Sequence, residues 1–349
     1  MGNMQEAKFV LSRKKVLEQY NKIKDLCDIV SYSSKTNQEI TKILEESTNC
    51  MFSLHMANEL KHVKNKSRVI FLAQGWNQEE IQNLVSEGIN SFIVDNERDL
   101  DELLIFLEQN QIEVDLLLRI KFKENTIRTE RYFVFGMNSE AVNKRIRELR
   151  DNKKIKNLGI HFHRKTQNMS EWNLKYEFEN MIDGDVIDLL DFVNIGGGIP
   201  SEYANTNVDV LQVIFNKIKE FKTWLSESGI RMIIEPGRFM AAPCARLVTR
   251  IIRIHDNNIV VNASVYNSEL DALIVPIKLL VMGELKKGEG DPYVVKGITP
   301  CSMDLFRYKV YLKDPKEGDK LVFLNAGAYN FSSDFCDLKK LETEVVEDF

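Results

Sequence analysis

The sequence predicts an α/β fold in which a (β/α)8 barrel is followed by a β domain. Strand-like and helix-like segments alternate over about the first 240 residues, and strand-like segments alone follow. The chain has 349 residues, which exceeds the size at which one hydrophobic core usually keeps growing, so two domains are expected. We predict a barrel over residues 12–242 and a β domain over residues 243–349, to which residues 1–11 are added.

The barrel prediction depends on eight short runs of β-branched, aromatic and aliphatic residues separated by segments with helical periodicity. The predicted strands are Ile29–Ser33, Cys50–Leu54, Val69–Leu72, Ser91–Val94, Val114–Ile120, Leu158–Phe162, Phe192–Ile195 and Arg231–Ile234. The predicted helices are Val16–Leu26, Gln38–Glu46, Gln78–Glu87, Glu97–Gln109, Ser139–Arg150 and Val208–Ser228. In such a barrel the parallel strands are buried, and the active site lies at their C-terminal ends.

The pattern changes after about residue 242, where strand-like runs follow one another with Gly and Asp in the turns between them. The runs are Leu247–Ile254, Ile259–Ala263, Leu273–Met282, Tyr293–Ile298, Arg307–Leu312 and Lys320–Leu324. They predict a separate β domain.

Composition narrows the class of protein. Hydrophobic residues make up 44% of the chain and charged residues 28%, with a net charge of −5. These values exclude a mainly disordered chain and give no reason to expect nucleic acid or a membrane as a partner. The first residues have no apolar run of signal-peptide length, so we expect a cytoplasmic protein. The five cysteines are irregularly spaced and predict neither a disulfide framework nor a metal site.

Two motifs follow the last two predicted barrel strands. Gly196, Gly197 and Gly198 follow the seventh strand, where bare backbone N–H groups can converge on a phosphate; a flexible loop is the other interpretation. Glu235-Pro236-Gly237-Arg238 follows the eighth strand and combines a buried carboxylate, a small residue and a charged fork. Barrels commonly bind phosphate beside these two loops.

Lys35 follows the first predicted strand, within Tyr32-Ser33-Ser34-Lys35-Thr36-Asn37. A lysine at this end of a barrel strand can face the mouth and form a Schiff base if its pKa is lowered. Taken alone, such a lysine is more often a solvated residue at the start of a helix.

The order of these motifs resembles that in the fold-type III pyridoxal-phosphate decarboxylases, which act on ornithine, lysine, arginine, diaminopimelate and related amino acids. The resemblance spans nearly the whole chain. It is carried by Lys35, by His163 in Gly159-Ile160-His161-Phe162-His163, by Gly196–Gly198, by Glu235–Arg238, by Cys301 with Asp304, and by Gly327-Ala328-Tyr329.

The resemblance implies pyridoxal 5'-phosphate as the cofactor and a role for each matching residue. Lys35 resembles the Schiff-base lysine, and Glu235 resembles the carboxylate that keeps the pyridine nitrogen protonated. His163 is similar to the histidine that stacks on the ring, and Cys301 to the catalytic cysteine that protonates the substrate carbon. The phosphate would be held by Gly196, Gly197, Gly198, Gly237, Arg238, Tyr329 and Thr166. Arg119 would either support the cofactor site or pair with a barrel carboxylate.

Some positions depart from the family pattern. Ser53 stands where many members have an acid near the ring, with His55 close by. The usual substrate-reading residues are missing near Val275. Glu269 and Asp271 are therefore candidates for binding the substrate's distal group, and solvated turn carboxylates are the alternative. Asp304 is a third candidate: two residues separate it from Cys301 where the family usually has three, so either the loop is shorter or Asp304 is not the family's substrate-binding acid. We expect a diamino acid or a related conjugate as the substrate, in amino-acid metabolism or polyamine biosynthesis.

Two other classes of function stay open. One is a catalytically inactive homologue that acts as a regulatory binding protein, which the retention of Lys35, Glu235, Arg238 and Cys301 argues against. The other is an amino-acid racemase, which Glu235 disfavours because racemases of this fold typically place an arginine there. The resemblance also implies a head-to-tail homodimer in which Cys301 reaches the neighbouring subunit's site.

Overall fold

The computed structural model describes residues 6–122 and 134–349. The chain forms two compact units. The first unit comprises Tyr20–Pro200 and Val210–Gly237, and the second comprises Met1–Gln19, Ser201–Asp209 and Arg238–Phe349. The chain thus leaves the first unit at Gly237, five residues before the boundary predicted from the sequence.

The first unit contains a closed barrel of eight parallel strands in sequential order. The strands are β2 (Ile29–Ser33), β3 (Met51–Leu54), β4 (Val69–Ala73), β5 (Ser91–Val94), β6 (Val114–Arg119), β7 (Ile155–His161), β8 (Phe192–Asn194) and β9 (Arg231–Ile234). Three of them have the predicted bounds, and the predicted barrel is confirmed. Five of its strands contribute to a buried apolar cluster, namely Ile70, Ile93, Leu117, Phe192 and Ile233.

Helices alternate with the barrel strands, as the periodicity predicted, and the first of them precedes β2. They are α1 (Arg13–Lys24), α2 (Gln38–Ser47), α3 (Gln78–Ser86), α4 (Glu97–Gln109), α5 (Ser139–Leu149), α6 (Leu174–Met181), α7 (Gly184–Ile187) and α8 (Leu211–Glu227). Four of them begin after an asparagine whose side chain accepts a backbone N–H of the first turn: Asn37, Asn77, Asn96 and Asn138. Such caps satisfy otherwise unpaired helix donors and fix where each loop ends.

The second unit is built on a mixed sheet. Its strands are β1 (Lys8–Ser12), β10 (Ala245–His255), β11 (Asn258–Val261), β12 (Leu280–Val281), β13 (Asp291–Lys296), β14 (Leu305–Leu312), β15 (Lys320–Leu324) and β16 (Glu342–Val346). The main path runs β12-β15-β10-β11-β13-β14, and β1 pairs with β10 and β16. Short helices α9 (Arg238–Ala241), α10 (Val265–Ser268) and α11 (Asp271–Ile274) complete the unit. The predicted β domain is confirmed.

The predicted strand over Leu273–Met282 is wrong. The chain forms the helical turn Asp271–Ile274 there, and only Leu280–Val281 is extended in the sheet. Pro276 has no N–H to give to a ladder, which explains why the apolar run does not continue as a strand.

None of the helices in the described part of the chain is long and apolar enough to cross a membrane.

Candidate active site

Glu235 is the centre of a buried polar cluster at the C-terminal end of the barrel. Its Oε1 accepts hydrogen bonds from Ser53 Oγ at 2.7 Å and from Asn194 Nδ2 at 3.0 Å. Its Oε2 lies 3.2 Å from His161 Nε2. The Glu235 N–H donates to Gly196 O at 2.8 Å, which ties the ends of β8 and β9 together. The cluster therefore joins residues that follow or end four different strands.

These contacts keep the Glu235 carboxylate ionised. Burial opposes ionisation, but His161 and the hydrogen bonds from Ser53 and Asn194 outweigh it and lower the pKa of Glu235 well below its usual value. Burial lowers the pKa of His161, although Glu235 opposes that shift. The negative charge of Glu235 at the barrel mouth is thus stabilised by hydrogen bonds from Ser53 and Asn194 and by its contact with His161.

Lys35 lies in a single turn of 3₁₀-helix, Ser34–Thr36, between β2 and the Asn37 cap of α2. The Ser33 N–H donates to Pro236 O, which fixes this turn beside the end of β9. Lys35 is accessible to solvent. Protein packed around its amine nevertheless lowers its pKa, against the opposing charges of Glu235 and Glu59. Lys35 therefore has the lowered pKa that Schiff-base chemistry requires.

His163 and the glycine run form a second part of the same mouth. The Gly197 N–H donates to His163 Nδ1 at 3.2 Å, and the imidazole is exposed. Protein packed around one side of the ring, followed by the effect of His161, lowers the pKa of His163 to about 3, so the ring is uncharged at neutral pH. A neutral exposed ring held by a backbone N–H is suited to stacking on a flat ligand.

The glycine run is required by close packing. A Cβ on Gly196 would lie 2.5 Å from Phe162 O, and one on Gly197 would lie 2.8 Å from Glu235 O. Gly196 and Gly198 also have positive φ angles of 63° and 106°. The Gly196 N–H donates to Asn194 Oδ1, so two of the three glycine donors are engaged within the protein. The Gly198 N–H has no acceptor in the described part of the chain.

The predicted residues Arg119 and Thr166, and Arg164 beside Thr166, lie outside the hydrogen-bonded cluster around Glu235. Arg119, the last residue of β6, forms an ion pair with Asp95 at 2.8 Å, the second of the two alternatives given above. Thr166 is exposed in the turn after His163. Arg164 in the same loop is 1% exposed and lies 2.9 Å from Glu177.

Arg238 and Asp271 form a buried ion pair in the second unit. Arg238 donates to both carboxylate oxygens of Asp271, at 2.5 and 3.2 Å, and to Tyr203 Oη at 3.2 Å. Its guanidinium also lies 4.9 Å from the centre of the Tyr329 ring. Burial raises the pKa of Asp271, and Arg238 opposes that shift. Asp271 is therefore occupied by an internal cation, and its role toward a substrate stays a prediction.

Glu269 is 0% exposed, and neither of its carboxylate oxygens has a hydrogen-bond partner in the described chain. Burial and the neighbouring Asp271 raise the pKa of Glu269 well above its usual value, which favours the neutral acid. An enclosed carboxyl with a raised pKa is not a ready receptor for an ammonium group. Its predicted contact with the substrate remains untested.

Asp304 and Cys301 lie on the loop between β13 and β14. Asp304 Oδ1 accepts the Val265 N–H, and Oδ2 accepts both the N–H and the hydroxyl of Thr299. Through these contacts Asp304 fixes the conformation of the loop, which is a structural role. Cys301 is partly exposed, and its Sγ lies 3.3 Å from Tyr266 Oη.

Tyr266→Phe is expected to raise the pKa of the Cys301 thiol. A thiolate can only accept, so the tyrosine hydroxyl donates to that form; this contact is the main cause of the lowered pKa of Cys301, and its removal destabilises the thiolate. The pH dependence of iodoacetamide alkylation at Cys301, followed by peptide mass spectrometry, measures this shift. Cys336, which is also exposed, is the internal reference. An unchanged profile at Cys301 would show that Tyr266 does not support the thiolate.

A class of enzyme is defined by this barrel with Lys35 after its first strand and Glu235 after its last strand. The chain matches the family model described as "Pyridoxal-dependent decarboxylase, pyridoxal binding domain" over residues 13–242. It belongs to this family and is a pyridoxal-phosphate-dependent amino-acid decarboxylase. Pyridoxal 5'-phosphate is its cofactor.

The relatives share a low level of sequence identity with this chain, and some of them cover most of it. The 2-[(L-alanin-3-ylcarbamoyl)methyl]-2-hydroxybutanedioate decarboxylase of Staphylococcus aureus is 24% identical over 348 residues, covering 86% of this chain and 82% of the relative. Two solved structures share the fold. The Helicobacter pylori diaminopimelate decarboxylase complexed with L-lysine has a TM-score of 0.82 at 19% identity, covering 99% and 93% of the two chains. The Vibrio vulnificus lysine/ornithine decarboxylase complexed with putrescine has a TM-score of 0.81 at 21% identity, covering 98% and 95%.

The barrel residues fit this cofactor chemically. An aldehyde needs an amine of lowered pKa, which Lys35 supplies, and a pyridinium N–H needs an anionic acceptor, which Glu235 supplies. Buried Nδ1 atoms of His55 and His161 have no partner in the described part of the chain, so the mouth retains polar groups that a ligand can satisfy.

Sequence reasoning did not identify His161, Asn194 or Glu59 as members of this mouth. His161 could have been found, because it is two residues before His163 and alternate residues at a strand end point the same way. Asn194 has the same relation to Gly196, whose N–H it accepts. Ser53 and His55 were noted only as departures from the family pattern.

Proposed function

We propose that this enzyme removes the α-carboxylate of a diamino acid, or of a conjugate of one, as carbon dioxide, using a Schiff base on Lys35. The observation that carries the proposal is the pairing of two features at one barrel mouth. Lys35 is an accessible amine with a lowered pKa, and Glu235 is a buried carboxylate held ionised by three donors.

Each residue of the proposed site has its own role in the reaction. When bound, pyridoxal phosphate takes up the electron pair left by the breaking Cα–carboxylate bond. Glu235 holds a proton at the pyridine nitrogen, which preserves the positive charge that attracts those electrons. His163 would hold the ring by stacking on it, and the Gly198 N–H would be available to a phosphate oxygen. Cys301 donates a proton to Cα.

The remaining residues of the predicted phosphate site are Gly237, Arg238, Tyr329 and Thr166. Gly237 follows the Glu235-Pro236 turn, and its small size permits close approach of a ligand. Arg238 and Tyr329 are carried over from the family pattern, as is Thr166. For Arg238 to bind a phosphate, its bidentate contact with Asp271 would have to be shared, since a guanidinium has five N–H donors.

The substrate class is proposed from the relatives and from the second unit. The Staphylococcus aureus relative acts on an amino acid linked through a carbamoyl group to a hydroxybutanedioate. In this chain Asp271 is neutralised by Arg238, and Glu269 is enclosed. These two carboxyls thus offer little to a free distal ammonium, which supports a conjugate alongside the simple diamino acids.

Carbon dioxide release from a panel of amino acids tests the proposed reaction. The panel contains ornithine, lysine, arginine, diaminopimelate, and a diamino acid acylated on its distal nitrogen with a hydroxytricarboxylate. We expect release from at least one compound, with the matching amine as the second product. Holoenzyme that binds the cofactor but releases nothing, or that only inverts Cα, would contradict it.

We also propose a head-to-tail homodimer in which Cys301 serves the partner's site. Lys35→Ala and Cys301→Ala should each be nearly inactive as separate proteins. If the two are unfolded together and refolded, half of the dimers are mixed and one of their two sites is intact, so about one quarter of the wild-type activity should return. No recovery in dimers shown to be mixed would place Cys301 and Lys35 of one site on the same chain.

A further inference from the structure

His55 is the direct partner of the Lys35 amine. Its Nε2 lies 3.2 Å from Lys35 Nζ. His55 follows β3, and its backbone N–H donates to Glu59 Oε2 at 2.7 Å, as does that of Met56 at 3.0 Å. The loop that carries the imidazole is therefore fixed by Glu59, and the ring is held against the lysine.

The His55 ring is uncharged. An imidazolium is a double donor, but His55 Nδ1 is buried with no hydrogen-bond partner among the described residues. A second cation at 3.2 Å from Lys35 would also be repelled. Burial and Lys35 together lower the pKa of His55 to about 3. Its partner is thus a neutral group at any ordinary working pH.

No carboxylate in the described part of the chain pairs with Lys35. Both oxygens of Glu235 are engaged by Ser53, Asn194 and His161. The charges that act on Lys35 are Glu235 and Glu59, which favour the ammonium, and Arg119, which disfavours it. The nearest contact of the Lys35 amine is the uncharged His55 ring, which therefore adds no charge that favours or disfavours the ammonium form.

We propose that His55 is a positioning residue for Lys35: it directs the amine by a hydrogen bond and, being neutral, leaves the ammonium form without a contact counter-ion. An amine reacts with an aldehyde carbon only when its nitrogen has a free lone pair. A neutral partner therefore keeps a larger share of Lys35 reactive than a carboxylate would. The inference rests on the proposed role of Lys35.

His55→Asp is the decisive variant, examined in the full-length apoprotein. An anion within about 4–6 Å of an amine raises the pKa of that amine by about 1–3 units. Brief labelling with acetic anhydride over a pH series, read at the Lys35 peptide by mass spectrometry, gives that pKa without cofactor or substrate. We expect the midpoint to rise by at least about one unit, so that labelling below both midpoints slows about tenfold or more.

Two controls separate charge from structure. His55→Gln stays neutral and can still hydrogen bond, so its midpoint should remain near the wild-type value. His255→Asp makes the same substitution at an exposed histidine of β10 and should change nothing at Lys35. The exposed Lys144 is the internal reference in every sample.

An unchanged or lowered midpoint in folded His55→Asp would overturn the inference, as would an equal rise in His55→Gln. Neither result depends on the cofactor. If instead the labelling behaves as expected but Lys35 fails to capture pyridoxal phosphate, the proposed function fails while the contact between His55 and Lys35 stands.

Discussion

Replacing Lys35 by alanine is expected to lower the rate of decarboxylation by about 10³-fold or more and to abolish covalent attachment of the cofactor. In the described part of the chain, no other lysine contacts Glu235 or its partners Ser53, Asn194 and His161, so we expect no second amine to replace it. Covalent catalysis divides one difficult step into easier ones, and its loss affects kcat directly. The measurements are carbon dioxide release and the visible absorption of the purified protein.

Lys42→Ala is the matched control for this variant. Lys42 lies on α2, the next helix after Lys35, is half exposed and pairs with Glu39 at 2.8 Å. A surface pair of this kind contributes little, so the variant should retain full activity and the cofactor's absorption. Substantial activity in Lys35→Ala, at wild-type cofactor content, would remove Lys35 from the catalytic step.

Glu235→Gln is expected to lower kcat by about 10²–10³-fold, the loss that follows removal of one well-placed charge in an enclosed site. The amide has nearly the shape of the carboxylate but cannot hold a proton at the pyridine nitrogen. KM should change less than kcat, because Glu235 acts on developing charge rather than on substrate binding. Steady-state kinetics, with the exposed Glu179→Gln as a control, measure both parameters.

Glu235 should also shape the response of stability to pH. Its folded pKa is lowered, so its ionised form stabilises the fold above the unfolded value of about 4.3, and this contribution is lost as pH falls through the folded pKa. The difference in unfolding free energy between wild type and Glu235→Gln should therefore shrink as the pH is lowered from 7 toward about 3. A difference that stays constant would mean that the carboxylate does not stabilise the native state.

Most of the barrel could be predicted from sequence because its strands are short, continuous and buried on both faces. Ile29–Ser33, Ser91–Val94 and Arg231–Ile234 have the predicted bounds. Two strands of the second unit were missed: Lys8–Ser12 and Glu342–Val346. The latter, Glu-Thr-Glu-Val-Val, is half exposed and polar, and it is extended because it pairs with the former across more than 300 residues.

The site could be predicted only in part, for a similar reason. Lys35, Glu235 and the glycines stand out because each lies in a distinctive local motif. The partners of Glu235 do not: Ser53, His161 and Asn194 lie 182, 74 and 41 residues away in the sequence. Barrel closure brings them together, and no local pattern records that contact. The capture of Arg238 by Asp271, 33 residues away, was likewise not predictable.

Borohydride reduction of the holoenzyme tests the central claim, that Lys35 carries the cofactor. Reduction turns a Schiff base into a stable secondary amine, so peptide mapping then identifies the lysine to which the cofactor was attached. The account predicts a phosphopyridoxyl group on the peptide that contains Lys35 and on no other. A label on a different lysine, or none in protein that retains bound cofactor, would contradict it.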